Sequence, residues 1–399
     1  MLFQYESPAN IFLYIPERIK GHPSRLVLLS EIYVMAPVVL LILVILLLVN
    51  TGSSILNATS KAAKLFPAIL ILGDSTVDTG NNNYIATLFK GNHLPYGRDF
   101  PGQVPTGRFS NGKLVTDFIA SAAGIKETVP PFLDPDLEDG QLCTGVSFAS
   151  GGSGFDDLTT AVSGVIPMSK QLEYLKKYIQ RLSKVVGEEE AKKILRGALV
   201  IISAGTNDFI FNFYDIPTRR IQFNISEYQD FLLGRLREFI LELYDLGCRK
   251  IAVAGLPPVG CLPIQTTAKF KNPEDRKCIE DENLDARTYN HKLANLLPQI
   301  KSVLPKSKIA YADVYKPMID MTNHPQKYGF LETKKGCCGT GYVEAGPLCN
   351  ELTPTCPNSS QHLFWDSIHP CESAYYYISL FIEEQVLPQL FFGDSTNVY

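Results

Sequence analysis

The chain carries no block of lysine and arginine of the kind that tracks phosphates, and its formal net charge is −4. Both features argue against nucleic acid as a partner. No internal repeat or low-complexity tract interrupts it, which argues against a repeat architecture. There are nine cysteines but no Cys-x-x-Cys, and their spacing fits no common zinc-ligand pattern. The Gly-x-Ser-x-Gly elbow is missing, so the usual strand–turn–helix presentation of a nucleophilic serine is disfavoured. No methionine-rich or aromatic segment stands out as a lid. No charge occurs between Glu31 and Lys61.

That last absence is the compositional outlier. Val38 to Val49 is continuously aliphatic, and Arg18, Lys20 and Arg25 lie upstream, the sign expected of a cytoplasmic flank. The uncharged stretch is long enough to span a bilayer, but its dense part has the length of a signal-peptide apolar region. Residues 1–54 are therefore expected to be an N-terminal extension holding a cleaved signal, with a type II signal anchor as the alternative; Met35 could serve as a second start. Membrane contact is expected only through this segment, if it stays uncleaved. Either way the rest of the chain is expected on the lumenal or extracellular side, secreted if the signal is cleaved. Asn57, Asn224 and Asn358 begin Asn-x-Ser/Thr sequons. Cys337, Cys338, Cys349 and Cys356 crowd one Gly- and Pro-rich stretch, which in an oxidising compartment reads as a disulfide staple. Nine is odd, so at least one thiol is expected free or paired between chains. Cys248, just before an expected buried strand, is the first candidate for a free thiol.

With 45% hydrophobic and 20% charged residues, the chain can bury a sizeable core. From about Phe66, short apolar runs alternate with amphipathic stretches. Strands are expected at Phe66–Leu72, Gly145–Ala149, Ala198–Ala204, Lys250–Ala254 and Lys308–Ala312, and helices at Val115–Ala123, Leu172–Val186, Tyr228–Leu246, Asn283–Leu304 and Ser373–Leu387. This alternation predicts an α/β fold, a three-layer α/β/α sandwich around a mainly parallel sheet. One domain is expected over residues 66–389, followed by a tail, 390–399.

Unusual polar residues fall at strand ends. Ser75 follows the first strand, Gly152 the second and Asn207 the third, and in open parallel sheets that edge is where ligands bind. Asp366 and His369 lie three apart on one Pro-terminated turn, close enough for the acid to orient the ring. A serine hydroxyl is a weak nucleophile until a base takes its proton and a third group holds that base. Ser75, His369 and Asp366 supply these parts. Attack on an ester creates an oxyanion, for which the N–H of Ser75, the N–H of Gly152 and the amide of Asn207 are candidate donors. The bland alternatives are a helix N-cap for Ser75, a turn cap for Asp366, and ordinary turn residues for Gly152 and Asn207.

Four blocks in order, Leu72-Gly73-Asp74-Ser75, Val146 to Gly154, Gly205-Thr206-Asn207-Asp208 and Trp365 to Pro370, make the chain resemble the plant GDSL esterase/lipases of the SGNH hydrolase superfamily. The Asn81-Asn82-Asn83 run and Thr106 to Lys113 strengthen the likeness, whose wording is close to the extracellular-lipase branch of anthers and pollen coats. It covers about Phe66 to Leu387. Thr76 replaces the leucine of the family's name, Leu72 stands where phenylalanine is usual, and Cys143 and Cys371 are atypical. The resemblance implies a flavodoxin-like sheet and no metal or organic cofactor. It implies hydrolysis of carboxylic esters through an acyl-enzyme, with Ser75 as nucleophile, His369 as base, Asp366 as acid, and Ser75, Gly152 and Asn207 around the oxyanion. It also implies three disulfides among Cys261, Cys278, Cys337, Cys338, Cys349 and Cys356, with pairing open. The expected protein is thus a secreted esterase with a shallow, polar-rimmed crevice for a small-molecule, lipid or cell-wall ester. An acyltransferase using the same acyl-enzyme, and a catalytically silent wall or coat protein binding lipid or glycan, are the alternatives.

Overall fold

Four of the apolar runs pair side by side in the computed structural model, which describes residues 65–392. The leader expected over residues 1–54 and the sequon at Asn57 lie outside the described residues. Strands β1 (Ile69–Gly73), β2 (Leu199–Ser203), β3 (Lys250–Ala254) and β4 (Lys308–Ala312) form one parallel sheet in that order. The register is set by Ile69 opposite Leu199, Leu199 opposite Lys250 and Lys250 opposite Lys308. Parallel strands covered on both faces have no polar side to show, which is why β1 and β2 read as unbroken apolar runs. All five residues of β1 are buried.

The strand expected at Gly145–Ala149 is looser than a regular strand. It runs parallel to β1, with Ile71 N–H donating to Val146 O, Phe148 N–H to Ile71 O and Ser150 N–H to Gly73 O. On its other side Ser147 bridges Pro131, and the N–H of Ser147 donates to Pro130 O. Phe132 N–H returns the bond to Ser147 O, and the pairing on this side is limited to that one bridge. Counting this segment, the order is that of a doubly wound, flavodoxin-like sheet, with the reversal of direction between β1 and β2.

Helices Met168–Val186, Ile225–Asp245 and Glu280–Val303 pack in a row on one side. Val115–Ala122, Tyr315–Asn323 and Glu372–Gln385 form the other layer, extended by Leu387–Phe392, whose Leu390 is buried. Gly247, at φ +109° just past the Ile225–Asp245 helix, supplies the left-handed residue that stops it.

A second, smaller apolar cluster holds the loop before the last helices. Tyr96, Phe109 and Trp365 pack there with Cys337, Cys338, Cys349 and Cys371. The disulfides pair Cys337 with Cys356, Cys338 with Cys349, and Cys261 with Cys278. Cys338 N–H donates to Trp365 O and Trp365 N–H to His369 O, so the crosslinked segment grips the turn that carries Asp366 and His369. Cys248 is free and buried, as expected, and Cys143 and Cys371 are free too. Burial pushes the Cys371 thiol well up, so it carries little thiolate.

Candidate active site

The turn bearing Ser75 depends on the glycine before it. Gly73 sits at φ +148°, and a Cβ there would lie 1.9 Å from the carbonyl oxygen of Ser203 on β2. Only glycine lets β1 end this close to its neighbour. The buried side-chain amide of Gln171 holds the same residue from the helix layer, accepting from Gly73 N–H at 2.8 Å and donating to Gly73 O at 2.8 Å. Asp74 then accepts from both the N–H and the hydroxyl of Thr76, and Thr76 Oγ1 lies 2.9 Å from Ser203 Oγ. The threonine that replaces leucine therefore ties the turn to the end of β2. Ser75 is not a helix N-cap; it lies in a turn.

The Ser75 hydroxyl lies 2.8 Å from His369 Nε2. On the far side of the ring, His369 Nδ1 is 2.7 Å from Asp366 Oδ2. An ionised carboxylate only accepts, so Nδ1 carries the ring proton and Nε2 is left to accept from the serine. Asp366 Oδ1 accepts from the N–H of Ile368 and of His369, and the Tyr96 hydroxyl donates to Oδ2 at 2.7 Å. The two readings of this aspartate coincide: one oxygen caps the turn and the other faces the imidazole. Phe109 lies against the ring, with centroids 5.1 Å apart.

Gly152 and Asn207 reach the same crevice as Ser75 and His369, a space of about 360 Å³ with the solvent at its opening included. Gly152 adopts φ +92°, a conformation side chains rarely take. The N–H groups of Ser75 and Gly152 donate to no other described residue. Asn207 Nδ2 donates to Ser153 O at 2.8 Å, which uses one amide proton and leaves the second. The walls differ from the polar rim expected of the sequence: Phe89, Phe109, Phe211 and Ile368 line them. Asn224 and Asn358 are both exposed, and neither lines the crevice.

Several residues that position the site had no role assigned to them from the sequence. Asp78 accepts from the N–H of Gly80, Asn81 and Gly151. Asn81 donates to Ser147 O and Ala149 O, and Asn82 to Gly151 O, so this polar run fixes the loop that presents Gly152. Asp208 accepts from Phe155 N–H, Asp156 N–H and the Thr159 hydroxyl, joining the Gly152 and Asn207 loops. Gln171 had a signal: it shares the buried stripe of its helix with Leu172, Leu175 and Tyr178, where a polar residue must find a partner. Among the described residues no group of His, Cys, Asp and Glu side chains has the make-up of a metal site.

Burial raises the carboxyl pKa of Asp74 and Asp78 to about 6 and that of Asp208 to about 7, against the hydrogen bonds that favour their ionised forms. The unfolded chain gives up these protons near pH 4, at about the ordinary aspartate value. Between about pH 4 and 7 the folded state therefore holds more protons than the unfolded, and stability falls as pH rises through that window. The melting temperature is expected to be highest in mildly acidic buffer and to drop by several degrees on moving to pH 8. Scanning fluorimetry from pH 4.5 to 8.5 checks this; a melting temperature that climbs across the range contradicts it.

A family model described as GDSL-like Lipase/Acylhydrolase matches residues 69–381. Three GDSL esterase/lipases of Arabidopsis thaliana are similar over most of their length. One is 58% identical over 332 residues, covering 83% of this chain and 92% of the relative. A second is 57% identical over 333 residues, covering 83% and 93%. A third is 56% identical over 341 residues, covering 85% and 93%.

Proposed function

Because the chain belongs to the GDSL lipase/acylhydrolase family and is a carboxylic ester hydrolase, we propose that it works through an acyl-enzyme on Ser75, outside the cytosol. The observation that carries this reading is the continuous contact from Ser75 Oγ through the His369 ring to Asp366, at 2.8 and 2.7 Å.

In the first half-reaction Ser75 Oγ attacks the ester carbonyl while its proton passes to His369 Nε2. The carbonyl electron pair moves onto oxygen, which meets the free N–H groups of Ser75 and Gly152 and the second amide proton of Asn207. When that oxyanion collapses, the bond to the alcohol breaks and Nε2 returns the proton to the leaving oxygen. Water then takes the alcohol's position, gives a proton to Nε2, and attacks the acyl carbonyl. Collapse of the second oxyanion releases the acid and restores the serine. Asp366, held by four donors, stabilises the imidazolium in both halves and keeps the ring in one orientation. The negative charge appears only transiently, so donors already in place contribute most of their effect at the barrier.

Three disulfides and exposed sequons at Asn224 and Asn358 support an oxidising, secretory address, as does the apolar run Val38 to Val49 in the sequence. A fluorophosphonate probe reacts only with an activated serine. It is expected to modify the purified, oxidised protein on the peptide that contains Ser75. An active preparation that stays unlabelled at that peptide would falsify the assignment.

A further inference from the structure

Behind the catalytic turn lies a second pocket, of about 640 Å³ with the solvent at its opening included, which the mechanism above does not use. It sits under the loop that carries Asp366 and His369, at the ends of β2, β3 and β4. The catalytic loops supply both spaces through neighbouring residues. Ser75 faces the crevice and Thr76 the cavity; Asn207 faces the crevice and Thr206 the cavity; His369 faces the crevice and Pro370 the cavity. Ile368 lines both. The partition is one residue thick, and at Ile368 it is a single aliphatic side chain, itself only partly buried.

We infer that this cavity holds the acyl chain of the ester, with Ile368 at its entrance. The inference rests on the acyl-enzyme reading above. Its apolar walls include Val115, Leu262, Val314, Met318 and Ile378. Two of its polar groups, Thr76 Oγ1 and Ser203 Oγ, are spent on each other. Tyr375 is different: its buried hydroxyl has no partner among the described residues, and a water or a polar substituent on the chain would bond there.

The acyl side of the ester fits this space better than the alcohol side. The alcohol must leave between the two half-reactions, and water must take its place beside His369 Nε2. A largely apolar pocket is a poor route for either. The acyl group stays attached to Ser75 through both steps, so a chain seated in the chamber remains bound from attack to release. Ile368 follows directly from the proton path, since its N–H donates to the carboxylate that orients the base. A chain that enters past Ile368 therefore lies within a side chain's length of the reacting carbonyl.

The test is an acyl-length series on full, oxidised protein. With wild type, kcat/KM for p-nitrophenyl esters is expected to rise from acetate to octanoate by about fourfold per methylene at first, the value of burying one such group, and then level off. Met318→Trp, which adds bulk to the lining from the helix Tyr315–Asn323, an element that carries no catalytic residue, is expected to keep acetate turnover within twofold and to lower octanoate turnover at least 30-fold. Equal effects on acetate and octanoate, or none on either, overturn the inference. Should Met318→Trp fail to fold, a wild-type series of alkyl fluorophosphonates decides: labelling of Ser75 must accelerate with alkyl length, and a flat series rejects the chamber. A failure of the acyl-enzyme reading looks different, since Ser75 would then take no label at any length.

Discussion

Ser75→Ala is expected to lower kcat/KM for p-nitrophenyl esters by roughly 10⁴-fold or more, to the level left by binding and oxyanion contacts alone. The change deletes one oxygen whose partner is His369 Nε2, so the stability cost should stay near about 1 kcal/mol, the net worth of an ordinary hydrogen bond. The turn itself does not rely on that hydroxyl. Gly73 is clamped by Gln171, and Asp74 by Thr76. Loss of activity with a melting temperature lowered by no more than about 2–4 °C is therefore the signature of a nucleophile rather than of a damaged fold. The double variant Ser75→Ala, His369→Ala should be no worse than the single, because a base without a nucleophile has nothing to activate. Residual turnover within tenfold of wild type, measured on protein free of contaminating esterase, removes Ser75 from the chemistry.

The parts of this architecture that could be read from the chain are those where burial imposes a simple pattern. Strands β2 to β4 appear within a residue or so of their expected limits, because a parallel strand covered on both faces needs apolar residues throughout. The long helices end within a residue of their expected limits, but Met168–Val186, Ile225–Asp245 and Glu280–Val303 each start three or four residues earlier than expected. What escaped were short elements whose stability is tertiary. Glu188–Gly197 opens on three glutamates and directly follows Gly187, so its charge masks a helix that buries Ala191, Ile194 and Leu195. Asp157–Ser163 is held by Asp208, a partner about fifty residues away that no local pattern reveals. The site divides the same way. Ser75, Gly152, Asn207, Asp366 and His369 were nameable because strand ends in such sheets converge. Tyr96, Phe109 and Gln171 were not, since each acts through a contact set by the folded chain: with Asp366, with the His369 ring and with Gly73. Disulfide pairing belongs to this second group as well, because it depends on which loops meet.

Asp366→Asn should cost nearly as much activity as removing the nucleophile, about 10⁴-fold, and should also destabilise the fold. The carboxylate receives four donors, two on each oxygen: the N–H groups of Ile368 and His369 on Oδ1, and His369 Nδ1 with the Tyr96 hydroxyl on Oδ2. An asparagine amide has one accepting oxygen and one NH₂ group. If the oxygen caps the turn, the NH₂ faces Nδ1 and forces the ring proton to Nε2, where it points at Ser75 and blocks proton abstraction. If the amide is turned over, the ring keeps its tautomer but two backbone N–H groups of the turn face another donor. Neither orientation serves all four groups. Tyr96 can rotate its hydroxyl only at the expense of its contact with Gly346 N–H, which donates to it at 2.8 Å. Because Asp366 is wholly buried, water is poorly placed to fill the gap, and each unpaired group costs about 1–3 kcal/mol. The expected result is therefore double: a fall in kcat/KM and in the fluorophosphonate labelling rate of Ser75, together with a lower melting temperature. Tyr96→Phe separates the two roles, since it removes one donor from Oδ2 and leaves the ring tautomer intact; it should lower activity far less, by about tenfold, the value of one ordinary to charge-assisted hydrogen bond. An Asp366→Asn enzyme that labels at the wild-type rate would mean that the imidazole needs no carboxylate to orient it.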